Sequence, residues 1–336
     1  MKNLTIVFLI IMASTATAQM RPGYTQYVLN NYIINPALAG IENYTDVKIS
    51  HRHQWVGIQD APVTTYLTIH GPIGKSDERT TATSFDMANE NPRGHQFAEE
   101  YESAKPHHGW GLQMINDQTG PLNRFSLYGS YAYHLGISPK TSIAGGFSVG
   151  FTNNSLNTSK LIFETPVDPA VAGSGYLNKI RPDINAGIWL YSADFFAGVS
   201  AMQILPQGLE FSGSTLYAKR SSYPTFFVTA GYKCYLDDDF SLLPSFVVRS
   251  VDPLPLGVDL NAKVQYRDLI WAGASCRFQD GFAAMLGVNV NHTFNISYAY
   301  DYSTTRLQTF TSGTHEIVLG FLLGNKYGDW CPRNLW

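Results

Sequence analysis

Residues Leu256–Arg267, "LGVDLNAKVQYR", alternate without a break. One set is Leu256, Val258, Leu260, Ala262, Val264 and Tyr266; the other is Gly257, Asp259, Asn261, Lys263, Gln265 and Arg267. A β-strand sends successive side chains to opposite faces, so this strand has one apolar face and one polar face of mixed sign. The same period recurs elsewhere. "FSLYGSYAYHL" sets Phe125, Leu127, Tyr131, Tyr133 and Leu135 against Ser126, Tyr128, Ser130, Ala132 and His134. "TFNISYAYDYS" sets Phe294, Ile296, Tyr298, Tyr300 and Tyr302 against Asn295, Ser297, Ala299, Asp301 and Ser303. In "TSIAGGFSVGF" one face holds only Ser142, Ala144, Gly146, Ser148 and Gly150.

Working outward from these stretches, the pattern predicts fourteen strands. They lie near 47–58, 63–72, 108–117, 123–136, 141–152, 182–192, 194–204, 224–236, 239–250, 256–267, 269–278, 282–290, 293–303 and 314–323. No helical-period segment interrupts them, which leaves a sandwich or a barrel. The connections choose between the two. Tight turns near 137–140, 192–194, 237–239, 267–269 and 291–293 interleave with longer links at 153–181, 205–223, 251–255 and 304–313. Short turns at one end and long loops at the other are what an outer-membrane barrel needs. The even count places both chain ends on the periplasmic side and the long loops outside. Trp110, Trp189, Trp271 and Tyr302, near strand ends, suit interfacial girdles. The polar row Asp259, Asn261, Lys263, Gln265 and Arg267 then faces the lumen, because charge at membrane depth persists only against water or protein.

Composition agrees. Charged residues make up 15% of the 336, against about 25% in ordinary soluble domains. The net charge of −3 removes the basic excess of a nucleic-acid binder. Lys2, the apolar run Leu4–Met12 and the small residues Ala16–Ala18 read as a signal peptide over 1–18, cleaved before Gln19. Nine apolar residues are too few to span a bilayer, and no longer run follows. The remaining division is an N-terminal segment over 19–46, a barrel over 47–324 and a periplasmic tail over 325–336. Cys234, Cys276 and Cys331 form no disulfide framework and no metal spacing.

Two segments do not read as strands. The connection over 73–107 is long and polar where the topology asks for a short periplasmic turn. Its composition fits a disordered insertion, and its position fits a docking element or a luminal plug. "QYVLNNYIINPALAG", Gln26–Gly40, is too short and polar to cross the membrane and too apolar to hang in water. It is expected to fold into the lumen, with Tyr27, Leu29, Tyr32 and Ile34 packing on the wall. Asn30, Asn31 and Asn35 would bond to its polar groups, and Pro36 would end the segment before the first strand.

Chemistry is sparse. His51 and His53 share a strand face, but no Cys or carboxylate at ligand spacing accompanies them or the His107–His108 pair, so rim histidines are the simpler reading. Gly146–Gly150 matches G-x-S-x-G around Ser148, but mid-strand instead of on a strand-to-helix elbow. Asp237, Asp238 and Asp239 form a polar turn without calcium-loop spacing. Neither a catalytic set nor a cofactor motif emerges.

Three ordered stretches carry a family resemblance: "QYVLNNYIINPALAG", "HRHQWVGIQDAPVTTYLTIHGPI" and "HHGWGLQMINDQTGPLNRFSLYGSYAYHL". With the closing "GTHEIVLGFLL" and "CPRNLW", they closely resemble the PorP/SprF family of outer-membrane proteins in the type IX secretion and gliding machinery of Bacteroidota. The matching positions include Asn35, Pro36, Gly40, Gln54, Trp55, Pro62, Asp117, Gly120 and Pro121. The resemblance implies a fourteen-stranded barrel serving secretion or display of a large adhesin, or other cargo with a C-terminal sorting domain. It also implies periplasmic type IX partners, among them a peptidoglycan-binding lipoprotein. Tyr176, Phe211 and Tyr217 in the long loops are candidate cargo anchors. The competing reading is a porin or a plugged small-molecule channel.

Overall fold

In the computed structural model, the described residues are 25–74, 98–99, 101–103, 105–160, 176–205, 207–208, 221–222, 224–252, 254–267, 269–278, 280–291 and 293–325. Fourteen long strands run in chain order: β1 Thr45–His53, β2 Val63–Ile73, β3 His107–Thr119, β4 Leu122–Ser138 and β5 Thr141–Asn157. Next come β6 Tyr176–Tyr191, β7 Phe195–Met202, β8 Thr225–Tyr232, β9 Phe240–Val251 and β10 Gly257–Tyr266. Last are β11 Ile270–Arg277, β12 Gly281–Asn289, β13 Phe294–Ser303 and β14 Thr314–Leu323. After Lys233, β8 resumes as Cys234–Tyr235, which still pairs with β9.

Each strand bonds antiparallel to its sequence neighbours, and β1 bonds also to β14, from Thr45↔Leu323 to His53↔His315. The sheet is therefore closed and has the expected fourteen strands. β1 stops at His53, short of the expected 58, because Gln54 N donates to Pro62 O (2.9 Å) and Val56 N to Gly313 O (2.9 Å), folding the chain over. β6 begins six residues earlier than expected, at Tyr176, and pairs with β5 along its whole length.

The faces are inverted relative to a water-soluble protein. Leu260, Val264, Phe282, Leu286, Val149 and Ile188 point outward and are exposed, while Asn261, Lys263, Gln265, Asn295 and Ser297 point inward and are buried. An apolar exterior around a polar interior suits a hydrocarbon surround. No helix among the described residues is long and apolar enough to cross a membrane. The start of β1 and the end of β14 lie together at what is called here the terminal end.

Two of the four girdle assignments need correction. Trp110 and Tyr302 face outward, but Trp189 and Trp271 are buried inside the barrel. Their strand parity decides this: Trp189 shares a face with Asp183 and Asn185, and Trp271 with Ser275 and Arg277. Cys234 and Cys276 are free thiols and half-buried.

Candidate functional site

Between Thr25 and β1 the chain makes three short 3-10 turns, Thr25–Leu29, Asn31–Ile33 and Pro36–Leu38. Asn35 caps the third: its side-chain oxygen accepts from Ala37 N at 3.0 Å, with Pro36 supplying a preset φ at the first position. Gly40 then turns the chain toward β1 with φ at 77°, and a Cβ there would lie 2.5 Å from Gly109 Cα. From Tyr27 to Tyr44 nearly every side chain is buried, and all these contacts are with inward faces of the barrel.

Two walls hold this segment. On β2 to β7 close hydrogen bonds lie beside an apolar cluster in which Ala37, Leu38 and Ile41 pack with Ala132, Ala144, Trp189 and Phe196. Asn30 Nδ2 donates to Thr68 Oγ1 (2.9 Å), and Tyr32 Oη to Ser130 Oγ (2.8 Å). Gln113 Nε2 reaches Ile33 O (3.2 Å), Ser200 Oγ reaches Ile34 O (2.5 Å), and Asn35 Nδ2 reaches Ile188 O (3.1 Å). Toward the terminal end His134 Nε2 donates to Ala39 O (2.8 Å) and His107 Nε2 to Gly40 O (3.1 Å), with the two imidazoles stacked 4.5 Å apart. The wall carries glycine where the segment's backbone passes. A Cβ on Gly146 would sit 2.6 Å from Ala37 Cα, and one on Gly109 would sit 1.8 Å from Ala39 O.

On β9 to β13 the grip is apolar. Tyr27, Val28, Ile33 and Ile34 pack with Val247, Trp271, Met285 and Ala299, joined by Tyr66 and the half-buried Leu29. Asn261 Nδ2, donating to Tyr27 Oη at 2.8 Å, anchors the polar edge of this contact.

Nearer the opposite end of the lumen, charges are paired across strands. Arg52 reaches Glu316 (3.0 Å) and Asp301 (2.7 Å), and Arg277 reaches Asp259 (3.4 Å). In the β11–β12 turn, burial pushes the Asp280 carboxyl up against the opposing pull of Arg277 and Arg249.

The residues singled out in sequence are thus placed as follows. Tyr27, Tyr32, Asn35 and Pro36 are buried in the lumen, and Leu29 is half-buried there. Asn261, Lys263 and Gln265 are buried on its wall, Lys263 with its ammonium 5.8 Å from the Trp271 ring centre, and Asp259 lies in the charged belt. Arg267 departs from that row. It sits one residue past β10, with φ at 47°, and its guanidinium pairs with Asp239 of the β8–β9 turn at 2.6 Å. The alternation ran out where the strand did. Tyr176 opens β6 but its side chain lies outside the described residues, as do Phe211 and Tyr217.

Ser148 is a wall hydroxyl accepting from Asn185 Nδ2 (2.8 Å), mid-strand on β5. His51 and His53 face outward, and among the described residues no group of three His, Cys, Asp or Glu could hold a metal. Of the 73–107 connection, Ala98 and Tyr101 pack on Ala193 at the terminal end, and Lys140 Nζ donates to Glu99 O (2.8 Å). His107, expected at the rim, is instead buried against Gly40 O, and sequence reasoning missed Gln113 and Ser200. Gln113 shares its strand parity with His107 and Asp117, which was the available signal; Ser200 shares its own with Phe196 and Gly198 and carried none.

The fold is similar to that of the Ralstonia pickettii toluene transporter TbuX, with 9% identity over 87% of this chain and 92% of that one, and a TM-score of 0.50. It is also similar to the CymD monoaromatic hydrocarbon channel (10% identity, 87% and 91% covered, TM-score 0.46). The Acinetobacter baumannii outer membrane protein Omp33 is a third such structure (9%, 84% and 100%, TM-score 0.45). Identities this low speak to fold alone. Comparison with curated protein sequences gives no match. The model of the type IX secretion system membrane protein family PorP/SprF, in contrast, matches residues 16–321. With a closed fourteen-stranded barrel and a match over nearly the whole chain, the protein belongs to the PorP/SprF family of type IX secretion system membrane proteins and is an outer-membrane β-barrel.

Proposed function

We propose that this barrel binds, and helps export or anchor, a large secreted surface protein bearing a C-terminal sorting domain, and that it does so as a plugged barrel. One observation carries the reading: Tyr27–Tyr44 is buried across the lumen and held by both walls. A barrel filled in this way offers a passing solute little path, so its work falls to its two ends and its rim. In this reading residues 1–18 are a cleaved export signal, 19–46 form the plug, 47–324 the barrel and 325–336 a periplasmic tail. The terminal end faces the periplasm and meets type IX components, including a peptidoglycan-binding lipoprotein. The long loops around Tyr176, Phe211 and Tyr217 face the cargo.

Affinity purification from native membranes tests the proposal. Co-isolation of a very large secreted protein supports it. Absence of such a partner, together with high conductance in a planar bilayer, returns the protein to the porin class.

A further inference from the structure

The outward face changes character on three adjoining strands, β13, β14 and β1. Register sets their outward residues in rows. Nearest the terminal end, Phe294–Phe321–Val47 and Ile296–Leu319–Ile49 are apolar. Toward the opposite end come Tyr298–Ile317–His51 and then Tyr300–His315–His53. On β12 the partners of Ile296, Tyr298, Tyr300 and Tyr302 are Val288, Leu286, Ala284 and Phe282, apolar throughout. Among the described residues no other strand turns a His, Lys or Arg outward at this end. Past the last row, the β13–β14 link folds over the rim. Tyr300 Oη donates to Ser312 O (3.1 Å), and Gln308 Nε2 to Tyr302 Oη. Both tyrosines point outward, so they hold the turn Arg306–Phe310 to the exterior. Its other side is fastened by Val56 N to Gly313 O (2.9 Å) and Ser312 N to Val56 O (2.7 Å). Leu307 and Phe310, three apart on a 3-10 turn and so on one side of it, are 37% and 73% exposed.

We propose that this patch binds the anionic phosphate headgroup of a membrane lipid, in the outer leaflet given the orientation proposed above. His53 and His315 hold the phosphate from the strand side and Arg306 from the turn. Lipid is the occupant because the patch continues the lipid-facing exterior: the acyl chains run along the Ile49, Leu319 and Ile296 row directly beneath it. Leu307 and Phe310 seat the turn in the interfacial layer. The donors are in place. His315 Nδ1 accepts from Tyr298 Oη (2.6 Å), so its proton sits on Nε2 and can be given to an incoming oxygen. His53 is its register partner and is exposed, as is Arg306. Facing side chains on paired strands start about 5 Å apart, close enough for both imidazoles to reach one phosphate. The carboxylates of these strands that lie nearby, Asp301 and Glu316, turn to the lumen and pair with Arg52, so none opposes an anion outside. A choline headgroup would bring a like charge beside Arg306. Among the described residues no group of three ligands is placed for a metal, which leaves the anion. This site does not depend on the cargo reading.

The test places the full chain in mixed micelles with dioleoyl phosphatidic acid or dioleoyl phosphatidylcholine and counts the lipid it retains by native mass spectrometry. Phosphatidic acid should be retained in preference to phosphatidylcholine. The double change His53→Leu, His315→Leu should lower its retention about tenfold, the scale of one or two hydrogen bonds to a charged group. Arg306→Gln, in an exposed turn, should lower it in the same direction without touching the strands. His108→Leu, outward at the terminal rim beside Tyr131, should leave it unchanged. An unshifted thermal transition certifies each variant as folded. Equal retention of the two lipids, full retention by both patch variants, or an equal loss from His108→Leu overturns the proposal. Displacement of the phosphatidic acid by excess inorganic phosphate overturns the lipid assignment and makes the patch a site for soluble phosphate.

Discussion

The two walls of the lumen hold the same segment by different physics. On β2 to β7 hydrogen bonds and glycines that let backbone meet backbone accompany an apolar cluster of Ala37, Leu38 and Ile41 with Ala132, Ala144, Trp189 and Phe196. On β9 to β13 the contact is an apolar seat around Trp271, with a hydrogen bond from Asn261 to Tyr27. Each wall buries a tryptophan, but they serve differently. Trp189 stacks on Phe196 at 5.2 Å in the cluster that holds Ala37 and Leu38, whereas Trp271 belongs to the cluster that holds Tyr27 and Val28. The hydrogen bonds of the β2–β7 wall set the register of the segment, with Asn35 Nδ2 fixed between Ile188 O (3.1 Å) and Val199 O (3.4 Å). The apolar wall provides adhesion that tolerates small shifts. Both are needed to hold a short segment lacking long regular structure of its own.

Substitutions can break this contrast in graded steps, read by thermal or urea unfolding and by thiol labelling of a cysteine placed at Ser130. Trp271→Ala empties the apolar seat and should cost about 4 kcal/mol, the usual scale for a large buried aromatic. Gly146→Val, on the β2–β7 wall, drives a side chain into Ala37 of the segment and should cost about 3 kcal/mol, with the Ser130 position becoming reactive as the segment is displaced. Asn35→Ala removes both the cap on Ala37 and the bond to Ile188 O, for about 2 kcal/mol. Tyr27→Phe loses one hydrogen bond and keeps the apolar seat, for about 1 kcal/mol. Arg267→Ala, in an exposed turn pair away from both walls, should leave the unfolding transition unchanged. If Tyr27→Phe proved as damaging as Trp271→Ala, the reading of the β9–β13 contact as an apolar seat would be wrong.

Much of this was legible in sequence, for a definite reason. The period of a strand is two whatever surrounds it, so stretches such as Leu256–Tyr266 and Phe294–Ser303 announced both their existence and their wet face. Parity also held information that composition obscured. Tryptophan is common at girdles, yet Trp189 and Trp271 each lie in step with inward polar residues. Arg267 was placed on the lumen because alternation carries no mark of where a strand stops. The cross-barrel pairs were out of reach. Arg52, Asp301 and Glu316 meet only because closure brings β14 back to β1, and Gln113 finds Ile33 O only once the segment has entered the lumen.

Ion conductance in a planar bilayer tests the central claim most directly, comparing the full chain with one lacking residues 25–40. The full chain should show no steady open channel and the shortened chain should conduct continuously. Equal conductance from the two would contradict a lumen closed by its own N-terminal segment.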